Sequence, residues 1–175
     1  CRRLVMAPLA ADDMNRLLGH YRPDLESEDA LALAHLADGS IGRALALADA
    51  GGLDLYQDIH KLLETLPGID VVGLHALADR VGKVGAEEVF RTVADLLQWW
   101  LARLVRVAAG SVSESDVSAA EQALIARLTE RAGLDRWLEV WEKTNNLLAR
   151  AGGANLDRRQ VFLNAVLDLE DAARG

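Results

Sequence analysis

Ala86-Glu87-Glu88-Val89-Phe90-Arg91-Thr92-Val93-Ala94-Asp95-Leu96-Leu97-Gln98-Trp99-Trp100-Leu101-Ala102-Arg103-Leu104-Val105-Arg106-Val107-Ala108-Ala109 is the longest uninterrupted periodic segment of the chain. Arg91, Asp95, Gln98 and Arg106 recur at helical spacing along one line, and nearly everything else is apolar. That pattern predicts a long helix with a narrow polar stripe. A helix so apolar around its girth belongs at the centre of a bundle or is shared with a partner chain.

Outward from this segment the chain reads as further helices with short breaks. Downstream, Ser113–Asp116 and Ser118–Glu121 are successive capping-box patterns before a helix that ends at Gly133. Asp135 opens another helix, carrying Leu138, Trp141, Asn145 and Leu148. Asp157 with Gln160 is a variant capping box for the last. Upstream, Asp70 caps a short helix to about Val81, and Pro67-Gly68 breaks the chain before it. A helix over about Asp54–Leu66 precedes that break.

Nearest the N-terminus three short helices are expected. The first runs from about Asp12 to His20 with Leu17, Leu18 and Tyr21 as its apolar side, and Pro23 stops it. The second starts after Ser27, carries Ala30, Leu31, Ala34 and Ala37, and ends at Gly39. Ser40 caps the third, whose stripe is Ile41, Ala44, Leu45 and Ala48, and Gly51-Gly52 closes it.

Composition agrees with an all-α protein: 31 Leu and 29 Ala stand against 14 Val and 4 Ile in 175 residues. A net charge of −8 argues against nucleic-acid binding through the whole surface, because phosphates need lysine and arginine. A single cysteine, Cys1, rules out a disulfide framework within the chain and points to a reducing compartment. No apolar run approaches the ~20 residues of a bilayer span, and no signal peptide is recognisable. The expectation is a cytoplasmic protein with no membrane partner. The chain opens without methionine on a strand-like stub, Arg2-Arg3-Leu4-Val5-Met6, which predicts a piece of a longer protein.

Catalytic groupings are missing. His20, His35, His60 and His75 fall in different helices without metal-ligand spacing, and Gly51-Gly52 and Gly152-Gly153 lack the lysine and hydroxyl of a phosphate loop. Trp99 and Trp100 point about 100° apart on one helix, so one is expected in the core and one on a second contact surface. Trp137 and Trp141 share a face and are expected in the core. Asn145 continues that face, where a polar residue fixes a helix crossing or an interface. With Arg103, these define the candidate interface set Trp99, Trp100, Arg103 and Asn145.

The segment Ala37-Asp38-Gly39-Ser40-Ile41-Gly42-Arg43-Ala44-Leu45 resembles the sensor-2 region of AAA+ clamp-loader subunits, where a helix ends on Gly-Ser and the next carries an arginine near its start. Cys1-Arg2-Arg3-Leu4 followed by Pro8-Leu9 is similar to the junction between AAA+ core and lid, and Asn155-Leu156-Asp157 resembles the start of the final collar helix. A bland alternative covers Gly39-Ser40, since any tight helix–helix turn needs such a pair. It does not cover Gly42, because glycine in a first turn costs up to ~1 kcal/mol against alanine. Close approach of another backbone or of a nucleotide would explain it.

The resemblance implies a division into 1–8 (end of an AAA+ core strand), 9–52 (three-helix lid), 53–68 (linker helix) and 69–175 (collar helical domain). It implies a subunit of the DNA polymerase III clamp loader, bound through its collar to other loader subunits (delta, tau/gamma). Sliding clamp and primer-template DNA would be met through the whole assembly. Gly39, Ser40, Gly42 and Arg43 would form a degenerate nucleotide-sensing region, since aligning on Gly39-Ser40 puts Gly42 where motor subunits carry the arginine. The implied chain has no cofactor or catalysis of its own, ATP entering only through an AAA+ domain or neighbouring subunits. Two alternatives stand beside this: the tau/gamma motor subunit, with Arg43 as sensor, and a ligand-binding helical regulator with a cavity near Trp99, Trp137 and Trp141.

Overall fold

A computed structural model describes residues 7–112, 117–153 and 156–175. The expected stub Arg2–Met6, the capping pattern Ser113–Asp116 and Asn155 lie outside these residues. The described chain is helical: α1 (Ala11–Tyr21), α2 (Ser27–Leu36), α3 (Ile41–Asp49), α4 (Gly52–Thr65), α5 (Val71–Gly82), α6 (Glu87–Ala108), α7 (Ala119–Gly153) and α8 (Arg158–Arg174). It divides into two compact units, one ending at Leu55 and one beginning at Tyr56.

In the first unit α1, α2 and α3 pack against one another. The helices form where expected, but their buried faces differ. Met14 and Leu18 are buried in α1, whereas Tyr21 is 57% exposed; Leu33 and Leu36 are buried in α2, whereas Leu31 is 56% exposed. Alanine and leucine alternate along α2 from Ala30 to Ala34, so its sequence marks no clear helical stripe, and the leucines that are buried are settled by packing. In α3 the fully buried pair is Ala44 and Leu47, with Ile41, Leu45 and Ala48 half-buried. α2 also ends at Leu36, three residues short of Gly39, because Asp38 (φ 48°) and Gly39 (φ 75°) turn left-handed in succession. Arg22, just past α1, donates to Asp24 (2.8 Å) and Asp49 (2.7 Å), tying the ends of α1 and α3 together.

The second unit is a bundle in which α7 packs on α6 and α8, and α5 on α6 and α8. Gly133 (φ 70°, ψ 161°) interrupts α7, so two helical segments flank it, as the glycine in the sequence indicates. The helix starts are built by their side chains. Asp70 Oδ1 accepts from Val72 N–H (3.1 Å), Ser118 Oγ from Glu121 N–H (3.1 Å) and Asp157 Oδ1 from Gln160 N–H (3.2 Å). Among the described residues, only the forward half of each box is used at Ser118 and Asp157. Glu121 turns to Arg103, and the Gln160 side-chain amide donates to Asn164 (2.9 Å). Arg127 donates to the Leu66 (2.5 Å) and Glu64 (2.8 Å) carbonyls, satisfying acceptors left over at the end of α4. No helix among the described residues is long and apolar enough to cross a membrane.

Candidate functional site

The turn between α2 and α3 gathers Gly39, Ser40, Gly42 and Arg43. Gly39 is fixed twice over. Its φ of 75° suits glycine, and a Cβ there would lie 2.6 Å from Pro8 Cβ and 2.8 Å from the Leu9 backbone. That closeness lets Leu9 N–H donate to the Gly39 carbonyl at 2.9 Å, docking the 8–9 segment on the turn. Ser40 is the N-cap of α3, its hydroxyl accepting from Arg43 N–H at 3.4 Å.

Gly42 behaves differently from the expectation. It is exposed, and a Cβ there would meet nothing within 4 Å. Among the described residues, close approach of another part of the chain is therefore not what the glycine serves. One helical step on, Arg43 is half-buried, and its Nη2 is buried with no hydrogen-bond partner among the described residues. A buried donor left unpaired costs about 1–3 kcal/mol.

The second candidate set lies on α6 and α7. The expectation that one of Trp99 and Trp100 faces a second contact surface is corrected: they are 5% and 2% exposed, both covered within the chain. Tyr56 of α4 meets Trp99 edge-to-face (centroids 6.0 Å apart, 77° between planes), and the Arg103 guanidinium lies 5.5 Å from the Trp99 ring centre. Arg103 is itself only 5% exposed and pairs with Glu121 of α7. The apolar girth of α6 is therefore filled by the chain's own helices, while Arg91, Asp95 and Arg106 form its exposed line.

Burial, with the Glu121 charge next in importance, pushes the Tyr56 hydroxyl up to about 12. Trp137 is fully buried and donates from Nε1 to the Leu128 carbonyl (3.2 Å), but Trp141 and Asn145 are half-buried. The face carrying these residues runs from the core to the surface, so Trp141 is corrected from a core position to a marginal one.

The polar residue that enters the core of α7 is Thr144, 0% exposed, with its hydroxyl unpaired among the described residues. It follows Trp137 by seven residues and Val140 by four, and precedes Leu148 by four, a spacing that marks it in the sequence. No group of three or more His, Cys, Asp or Glu side chains among the described residues could hold a metal ion. What these arrangements do is position backbone and hold helices. Comparison with protein-family models, with curated proteins and with solved structures gives no match.

Proposed function

We propose that this chain is the lid and collar portion of a DNA polymerase III clamp-loader subunit, nearest in character to delta prime. The observation that carries the reading is the Gly39-Ser40 turn, with Ser40 capping α3 and Arg43 in its first turn. The division into a small three-helix unit and a larger helical bundle supports it. In this reading the bundle is the collar, which binds neighbouring delta and tau/gamma subunits, and the assembly carries the sliding clamp to primed DNA. The offset of Arg43 from the sensor position favours a subunit that holds motors without hydrolysing ATP. Contacts to neighbours would use surfaces other than Trp99, Trp100 and Arg103, because those side chains are spent on the chain's own core.

Mixing the chain with delta and tau/gamma and following complex formation by size-exclusion chromatography tests the reading. A stable joint peak is expected; separate elution of all components at micromolar concentration would overturn it. One observation favours the tau/gamma motor instead: Arg43 lies in the first turn of α3, beside the Ser40 cap, and a guanidinium is a donor suited to a phosphate oxygen. ATP turnover by a loader in which only this subunit keeps an intact nucleotide site separates the two, since delta prime would give none.

A further inference from the structure

We draw no further inference here: the strongest candidate, the groove between the second half of α7 and α8 lined by Glu142, Lys143, Leu147, Arg150, Leu167 and Asp168, is of mixed charge, and nothing in the structure shows what covers it.

Discussion

Arg103 of α6 and Glu121 of α7 grip each other through two nitrogen–oxygen pairs, Nε to Oε1 and Nη2 to Oε2, the second 3.1 Å long, with side chains only 6% and 13% exposed. Such a pair is worth little net stability, because desolvating both ions offsets most of their attraction, but removing one partner takes a two-point counter-charge away from a buried ion. Glu121→Ala should therefore cost about 3–5 kcal/mol, read as a lower urea midpoint of the helical signal. Arg103→Met with Glu121→Leu should return close to the parent, since both charges leave together. If the double variant is as weak as the single one, the charge account is wrong and side-chain shape is what matters.

Tyr56 shares that environment and gives it a signature at high pH. Its hydroxyl is raised from 10.0 to about 12, first by burial and then by Glu121. Because the folded form keeps its proton longer than the unfolded one, the stabilisation is complete below about pH 10 and disappears as pH rises towards 12. Ultraviolet titration of tyrosinate should show a late step that Tyr56→Phe abolishes. Glu121→Gln should move the step down without restoring the ordinary value, because burial remains. A late step untouched by Tyr56→Phe would refute the assignment.

Gly39 and Gly42 lie three residues apart and should respond oppositely to alanine. At Gly39 the side chain would force a left-handed backbone and press on Pro8 and Leu9, a loss of about 1–3 kcal/mol from the backbone strain alone. At Gly42 the space is open and the backbone is helical, so alanine should be neutral or stabilise by up to ~1 kcal/mol. Thermal melts followed by circular dichroism compare the two. Gly42→Ala then becomes a clean probe: a variant that is as stable as the parent but fails to assemble with delta and tau/gamma reports an outside contact at that exposed position.

The helix starts at Ser40, Asp70, Ser118 and Asp157, and the break at Gly133, are legible in the sequence because capping and left-handed turns are local chemistry, decided within three or four residues. The exposed line Arg91–Asp95–Arg106 is legible for the same reason, as a periodicity inside one helix. The burial of both Trp99 and Trp100 is not. The groups around Trp99 include Tyr56 from α4, and its neighbour Arg103 is held by Glu121 of α7; nothing in the α6 segment announces either. Glu121 itself reads as the last residue of the Ser118–Glu121 capping box and spends its carboxylate elsewhere. Gly42 is locally expensive, and the described residues offer no packing that requires it. Where a residue's partner is distant, type and spacing fix its surroundings only loosely.

Gly82, the last residue of α5, and Arg159, in the first turn of α8, give the most local test of the bundle. A Cβ on Gly82 would lie 2.8 Å from the Arg159 Cβ, closer than packed carbons approach. Arg159 also donates to Asp79 at 2.6 Å, which holds the Asp79 carboxyl below the usual carboxylate range. Two causes could tie α5 to α8 here, and they separate by substitution. Arg159→Ala removes an exposed ion pair and should cost at most about 1 kcal/mol. Gly82→Ala pushes two helices apart and should cost about 1–3 kcal/mol. Since the clash is with a Cβ that alanine retains, the Gly82→Ala cost should persist in the Arg159→Ala background. Native-state hydrogen exchange reads this directly: Gly82→Ala should lower protection of the α5 and α8 amides in both backgrounds. Relief of the defect by Arg159→Ala would mean that the long side chain, and not the backbone approach, sets the helix spacing.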